Sequence, residues 1–216
     1  MLIITGTSRG LGKALSETYS WPHIEALWSL TREHFDLEEP SSMKEYFSCM
    51  KWPMEPLHVI HLAAVSNSGF LHKQSIEDAV RTTDINLLGT CHLLSAFQPI
   101  FKERKGSTFT LISSVVVERP VAGTSAYAMS KGGVEALTRT AALEFSRIHA
   151  RVNCLQLGYF DVGMIEQVSA EMQAKLLEEI PLHHFGTVND LWSAWKFLME
   201  CGYVTGAIIP INGGLR

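Results

Sequence analysis

The stretch Leu2-Ile3-Ile4-Thr5-Gly6-Thr7-Ser8-Arg9-Gly10-Leu11-Gly12 decides the fold, because it joins a short apolar run to a glycine-rich turn and then to a segment of helical period. Glycine permits a tight turn and a close approach of the backbone to a ligand. The N-terminus of the following helix offers free N–H groups and a partial positive charge, which suit a pyrophosphate. A glycine-rich loop between a strand and a helix therefore favours a dinucleotide site over a turn without a ligand.

Short apolar runs alternate with longer helical segments along the rest of the chain. Such alternation predicts βαβ units, and continuous apolar runs suit parallel strands that are buried on both faces. We therefore predict an α/β fold, a Rossmann-type three-layer sandwich whose mostly parallel sheet has six strands. The predicted strands are 2–5, 25–30, 58–63, 107–113, 150–157 and 207–211. The predicted helices are 11–20, 41–50, 75–102, 126–148, 169–179 and 188–201.

The connection after the second strand is unusually short. Phe35-Asp36-Leu37 follows that strand within a few residues, whereas parallel neighbours need a crossover of about a dozen residues or more. This segment cannot be the next parallel strand. We expect the chain to pass through helix 41–50 to strand 58–63, which gives the strand order 2-1-3-4-5-6 and a sheet without one edge strand and its helix.

The composition places the chain among ordinary globular proteins. Its 216 residues suit a single domain over 1–216, and 46% hydrophobic residues can fill its core. A net charge of −4 argues against nucleic acid, and no apolar run reaches the roughly 20 residues of a membrane span. The N-terminus does not resemble a signal peptide. The four cysteines lie far apart, so we expect reduced thiols, a cytoplasmic location and no metal.

The end of the second strand bears on the choice of dinucleotide. NAD-binding proteins of this fold usually place an acid there to hold the ribose 2′-hydroxyl, but Trp28-Ser29-Leu30-Thr31-Arg32 contains none. Arg9 and Arg32 could instead bracket a 2′-phosphate, because a guanidinium matches phosphate geometry. The alternative is that both are solvated surface charges. We predict NADP(H) in preference to NAD(H), which stays possible.

A second group of residues, Ser114, Tyr127 and Lys131, is suited to proton transfer. Tyr127 precedes Lys131 by four residues, which places both on one helical face, and Ser114 lies thirteen residues before Tyr127 after a strand. An unperturbed tyrosine has a pKa of about 10. We expect the Lys131 ammonium to lower the pKa of Tyr127, which could then exchange the proton of an alcohol, while Ser114 orients a carbonyl oxygen. The alternative is a surface pair on an amphipathic helix.

Taken in order, these motifs resemble the short-chain dehydrogenase/reductase family over nearly the whole chain, and in particular a compact NADPH-dependent carbonyl or 3-oxoacyl reductase. The motifs that carry the resemblance are Thr5–Gly12, Asp36-Leu37, Asn86 within 84–90, Ser114, Tyr127 with Lys131, 151–153, 180–182 before Phe185-Gly186, and 203–206 leading to 212–214.

The resemblance implies hydride transfer between a nicotinamide cofactor and a carbonyl or secondary alcohol. It implies Tyr127 as general acid in reduction and base in oxidation, and Lys131 as a ligand of the nicotinamide ribose. Asn86 would hold a water that links Lys131 to solvent; its alternative is a helix-bending or capping role. The implied cofactor contacts are Gly6, Ser8, Arg9, Gly10, Leu11, Gly12, Thr31, Arg32, Asp36 at the adenine, Leu37, Ala63, Ala64, Tyr127, Lys131, Gly158 and Val162.

The chain departs from the family pattern at several positions. His61-Leu62-Ala63-Ala64 stands where the family usually has Asn-Asn-Ala-Gly, and Val162 replaces the threonine that normally contacts the carboxamide. His61 could be catalytic, but we favour a core histidine with satisfied hydrogen bonds. Ala64 adds a methyl group beside the expected cofactor path.

The remaining expectations concern substrate, assembly and competing functions. A substrate lid is expected over 159–184, with a small-molecule carbonyl or alcohol as substrate. The family resemblance implies a homodimer or homotetramer through helices 75–102 and 126–148. Two alternatives stay open: a non-catalytic NADP(H)-binding regulator, and an epimerase or dehydratase that uses bound cofactor transiently. Tyr127 argues against the regulator, because binding alone does not need it.

Overall fold

The computed structural model describes residues 1–18 and 27–215. Within these residues six parallel strands form one sheet in the order β2-β1-β3-β4-β5-β6, which confirms the expected order. The strands are β1 Leu2–Thr5, β2 Leu27–Leu30, β3 His58–His61, β4 Thr108–Ser114, β5 Arg151–Leu157 and β6 Ile208–Ile211.

Helices cover both faces of this sheet, as expected for the three-layer sandwich. The helices of the described residues are α1 Gly10–Thr18, α2 Pro40–Cys49, α3 Ile76–Thr83, α4 Gly89–Lys102, α5 Ser125–Ser146, α6 Ala170–Glu179 and α7 Val188–Glu200. Helices α2, α4 and α5 share one core with the sheet, and α1 and α7 share the other. The first core is rich in aromatic rings such as Phe97, Phe101 and Phe109, and the second is built around Trp195.

The segment between β2 and α2 contains no strand, as the short connection predicted. Phe35 is buried and its ring packs against Phe47 of α2. Leu37 packs close to Gly89, where an added Cβ would lie 2.9 Å from the Leu37 Cβ. The segment is therefore anchored to α2 and to the start of α4.

The structure changes one predicted helix. The continuous helix expected over 75–102 is interrupted by a π-helical turn, Asp84–Leu88, between α3 and α4. Such turns insert an extra residue into the helical repeat and often occur at functional sites. The predicted helix 11–20 and strand 25–30 extend over residues 19–20 and 25–26, which lie outside the described residues.

Candidate active site

The carboxyl ends of the strands place the candidate residues at one edge of the sheet. The order in which strands are added to the sheet reverses between β1 and β3, and ligands of open α/β sheets bind outside the strand ends at such a point. Gly6 follows β1 there with a φ of +83°, and an added Cβ would lie 2.4 Å from the Ala63 nitrogen. The glycine-rich loop thus packs against the segment after β3, as the motif requires.

The loop itself has the features of an anion site. Helix α1 begins at Gly10, so its first N–H groups lie in the loop, and Ser8 and Arg9 are exposed beside them. The Thr7 side chain is only 8% exposed, and its hydroxyl has no hydrogen-bond partner among the described residues. Gly163 of the lid segment faces Gly10, because an added Cβ on Gly10 would lie 3.2 Å from the Gly163 Cα.

Tyr127 and Ser114 come together across the sheet edge. Ser114 ends β4 and Tyr127 lies in the first turn of α5, and the Ser114 hydroxyl is near enough to the Tyr127 phenol to influence its pKa. Burial raises the pKa of the Tyr127 phenol to about 12, against the smaller lowering by Ser114. The expected net lowering of this pKa is therefore wrong: loss of hydration disfavours the phenolate, and Ser114 rather than Lys131 supplies the opposing contribution.

Lys131 lies one helical turn beyond Tyr127, with 4% of its surface exposed. Its ammonium donates a 2.9 Å hydrogen bond to the Ile112 carbonyl of β4 and lies 5.6 Å from the centroid of the Tyr127 ring. Burial lowers the pKa of Lys131 to about 8. The tyrosine and lysine thus share a helical face at the strand ends, as their spacing predicted.

Asn86 lies in the π-helical turn and its side chain is fully buried. Its amide accepts a 2.9 Å hydrogen bond from the Val65 N–H and donates a 2.8 Å bond to the Val65 carbonyl. It also donates to the Ser130 hydroxyl, next to Lys131 in α5. The Asn86 side chain therefore ties the segment after β3 to α5, and the implied water-holding role stays a prediction.

The structure shows a buried polar cluster that the sequence analysis did not single out. Glu135, 7% exposed, accepts a 2.7 Å hydrogen bond from the Ser113 hydroxyl and a 3.1 Å bond from the Gln156 amide. The cluster joins α5 to β4 and β5 directly beneath Ser114 and Lys131. The four-residue spacing of Lys131 and Glu135, which places both on one face of α5, could have revealed it.

Arg32 is held by carboxylates at the end of β2. Its guanidinium donates a 2.7 Å hydrogen bond to Asp36 and lies 3.3 Å from Glu38, which also pairs with Arg81. Asp36 further accepts from the Glu38 N–H, so this carboxylate organises its own loop. Thr31 bonds to His34, and Arg9 is exposed on the glycine-rich loop. The two arginines therefore have different surroundings, and their joint role at a 2′-phosphate stays a prediction.

His61 ends β3 with its side chain in the interior, 4% exposed. Its Nδ1 lies 2.6 Å from the Thr5 hydroxyl, while its Nε2 has no hydrogen-bond partner among the described residues. The expected core histidine is thus buried, but only one of its two ring nitrogens is satisfied within the described chain. Burial, with a smaller contribution from the charge of Lys131, lowers the pKa of His61 to about 3.

The other expected cofactor residues lie around the same edge. Gly158 follows β5, where an added Cβ would lie 2.7 Å from the Asn212 Cα. Val162, Ala63 and Ala64 are partly exposed, and Leu11 lies in the first turn of α1. In the described part of the chain no helix is long and apolar enough to cross a membrane, and no group of acidic, histidine or cysteine side chains could hold a metal ion.

This arrangement defines an α/β protein of the Rossmann type with a glycine-rich loop and a tyrosine–lysine pair at one sheet edge. A family model described as "Enoyl-(Acyl carrier protein) reductase" matches residues 24–216. The chain belongs to the short-chain dehydrogenase/reductase family.

Two named relatives show which enzymes of this family the chain is similar to. A bovine (Bos taurus) 3-oxoacyl-[acyl-carrier-protein] reductase is 32% identical over 161 residues, which cover 73% of this chain and 65% of that protein. An acetoacetyl-CoA reductase of Synechocystis sp. is 25% identical over 230 residues, which cover 99% of this chain and 95% of the relative. The match therefore spans just under two thirds of the mammalian protein and nearly all of the cyanobacterial one.

The solved structures support the fold. A small-chain dehydrogenase crystallised with NADPH superimposes with a TM-score of 0.84 at 22% sequence identity, over 99% of this chain and 96% of that one. A 3-oxoacyl-[acyl-carrier protein] reductase from Brucella melitensis gives a TM-score of 0.85 at 19% identity, over 99% and 90% of the two chains. At this level of identity the likeness establishes a shared architecture.

Proposed function

We propose that this chain is an oxidoreductase that transfers a hydride between NADPH and a carbonyl carbon, or between the matching secondary alcohol and NADP. The observation that carries the proposal is the pairing of Tyr127 with the buried Lys131, whose ammonium lies 5.6 Å from the Tyr127 ring centroid, next to Ser114 at the end of β4. A nucleotide-binding regulator would not need a phenol at this place. Catalytic roles follow for Ser114, Tyr127 and Lys131, and for Asn86 through its bonds to Val65 and Ser130.

The residues present fit a dinucleotide. The unpartnered hydroxyl of Thr7 within the described chain, the start of α1 at Gly10 and the exposed Arg9 suit a pyrophosphate. The chain would hold it with the loop 6–12, with 31–37 on the adenosine side, and with Ala63, Ala64, Gly158 and Val162 towards the nicotinamide. When bound, the nicotinamide supplies or accepts the hydride.

The side chains would manage the proton and the orientation of the substrate. The Tyr127 phenol is protonated at neutral pH, so it has a proton to give to the substrate oxygen as the hydride reaches the carbon, although burial raises its pKa and so makes it a weaker acid. The Ser114 hydroxyl can donate to the same oxygen and fix its position. Lys131, still largely cationic near pH 7, would hold the nicotinamide ribose and place a positive charge 5.6 Å from the centroid of the Tyr127 ring.

The proposal also covers the class of substrate, the assembly of the protein and its location in the cell. The named relatives make 3-oxoacyl thioesters the first carbonyl substrates to test. We place the substrate under the lid 159–184, whose helix α6 has no buried residue among those described. We further propose one domain over 1–216, a homodimer or homotetramer, and a cytoplasmic location.

The test begins with binding and then measures turnover. NADPH and NADH are titrated by fluorescence, and oxidation of each is followed with a panel of 3-oxoacyl thioesters and simple ketones. Tyr127→Phe should retain NADPH binding and lose about 10²–10⁴-fold in kcat, because a positioned acid contributes that much. Tyr203→Phe, at a fully exposed tyrosine, is the matched control and should retain activity. Tight NADPH binding without any turnover of the panel would instead favour the regulator.

A further inference from the structure

The end of strand β3 carries a buried polar atom that the proposed chemistry does not use. Within the described residues the Nε2 of His61 has no hydrogen-bond partner, although the side chain is 4% exposed. A buried ring nitrogen without a partner costs free energy, because it has lost its hydrogen bonds to water. This position therefore calls for a donor or acceptor nearby.

Lys131 is the neighbour with hydrogen-bonding capacity left. An ammonium can donate three hydrogen bonds, and the structure assigns Lys131 one, to the Ile112 carbonyl. Ile60 of β3 pairs with Thr110 of β4, so His61 lies beside Leu111, one residue from the carbonyl that holds Lys131. Both side chains are on the α5 face of the sheet, and the imidazole lies within the electrostatic range of the ammonium.

The hydrogen bond at Nδ1, the other ring nitrogen of His61, determines which tautomer could accept a hydrogen bond that connects the ring to Lys131. Thr5 and His61 are directly paired across β1 and β3, and the Thr5 hydroxyl lies 2.6 Å from Nδ1. If Nδ1 carries the proton and donates to Thr5, then Nε2 presents a lone pair. A neutral imidazole of this tautomer is an acceptor for an ammonium, whereas the other tautomer would set an N–H against it.

We propose that His61 is a positioning residue, whose Nδ1–H donates to Thr5 and whose Nε2 accepts a hydrogen bond that connects it to the Lys131 ammonium through one buried water. Burial of the imidazole keeps it neutral and so able to accept. This water-mediated link would hold Lys131 from the β3 side, as the Ile112 carbonyl holds it from β4. His61 would thereby set the place of the ammonium that faces Tyr127. Only the kinetic consequence of this inference rests on the proposed function.

The first test reads the tautomer without any cofactor or turnover. Long-range proton–nitrogen NMR of protein labelled with ¹⁵N-histidine distinguishes a protonated Nδ1 from a protonated Nε2, and His61→Asn assigns the signal. We expect a protonated Nδ1 and an Nε2 whose shift moves in Lys131→Met, because the bridging water loses its ammonium partner. His58 provides the internal control, because its Nδ1 bonds to Thr108 in the same way, 3.0 Å away at the other end of β3. A protonated Nε2, or a signal indifferent to Lys131→Met, would overturn the proposal.

The second test separates the two nitrogens by substitution. Asparagine places its amide near the Nδ1 position and can keep the Thr5 bond, whereas glutamine reaches the Nε2 position and can keep the water-mediated link to Lys131. We expect His61→Asn to lose about ten-fold or more in kcat/KM, the effect of losing a hydrogen-bonded link to a charged group, and His61→Gln to recover most of it.

His58→Asn is the matched control and should leave kcat/KM unchanged. A greater loss in His61→Gln than in His61→Asn would mean that the Thr5 bond alone matters and would refute the positioning role. If the wild-type protein showed no turnover, the proposed function would be refuted. The NMR measurement would still test the role of His61.

Discussion

At the residue scale, Arg32 lies in the segment after β2, where we propose that its guanidinium meets the 2′-phosphate that distinguishes NADP from NAD. It is exposed, and its contacts to Asp36 and Glu38 hold it at the end of β2. These contacts use Nε and one terminal nitrogen, and a guanidinium has further N–H groups to offer a phosphate. Asp36 and Glu38 would compete with a phosphate for this guanidinium.

We expect Arg32→Ala to weaken NADPH binding more than NADH binding, because only NADPH carries the phosphate. Fluorescence titration of both nucleotides measures the two dissociation constants. Arg81→Ala is the control, since Arg81 pairs with the same Glu38 from helix α3. Equal losses for the two nucleotides would defeat the assignment of Arg32 to a 2′-phosphate.

At the scale of the elements, the junction of the π-helical turn with α4 fixes the loop after β2. An added Cβ on Gly89 would lie 2.9 Å from the Leu37 Cβ and 3.0 Å from the Leu37 carbonyl oxygen. The loop backbone would have to move, together with the neighbouring Asp36 and its ion pair with Arg32. Helix α5 offers a contrast, since a Cβ on Gly132 would meet only the Val117 side chain, at 3.9 Å among the described residues.

Gly89→Ala should therefore lower the free energy of unfolding by about 1–3 kcal/mol, as overpacking does. Gly132→Ala should leave it unchanged or raise it by up to about 1 kcal/mol, because alanine is the better helix former. Urea denaturation of both variants measures the difference. If the two glycines proved equally tolerant, Gly89 would not be the contact that fixes the loop.

For the whole molecule, two buried histidines tie stability to pH. Burial lowers the pKa of His61 to about 3 and that of His58 to about 4, from an ordinary value of about 6.5. Between those values and pH 6.5 the unfolded chain binds protons that the folded chain does not. The free energy of unfolding must therefore fall as the pH decreases through this window.

The double variant His58→Asn/His61→Asn should show a weaker loss of stability between pH 6.5 and pH 4 than the wild type. Thermal unfolding at a series of pH values measures the free energy of unfolding of both proteins. The slopes of this free energy against pH are compared, since either substitution can shift the absolute stability. His72→Asn, at an exposed histidine, should leave the slope unchanged. An identical slope in the double variant would show that other groups govern the acid sensitivity.

Assembly is the second property of the whole molecule. The proposed oligomer through α4 and α5 would cover Leu143, which lies on α5 and is 74% exposed in the single chain. Leu143→Lys should shift the protein towards monomer, because a charge at the contact loses its hydration on association. Light scattering after gel filtration measures the mass. Met54→Lys, at a similarly exposed residue outside these helices, should leave the mass unchanged.

The sequence by itself determined the order of the elements, the strand order and the pairing of Tyr127 with Lys131. These features depend on local periodicity, on the minimum length of a crossover and on helical spacing, all of which are written along the chain. The short connection at Phe35-Asp36-Leu37 was enough to predict the shortened sheet.

Only the tertiary structure decided the environment of each side chain. The ion pairs of Arg32, the π-helical turn at Asn86 and the half-satisfied His61 depend on which groups meet across strands and helices. The raised pKa of Tyr127 depends on burial, which spacing along the chain could not reveal. Hydration and long-range contacts are properties of the folded molecule, so residue spacing identifies the chemical groups but does not set their energies.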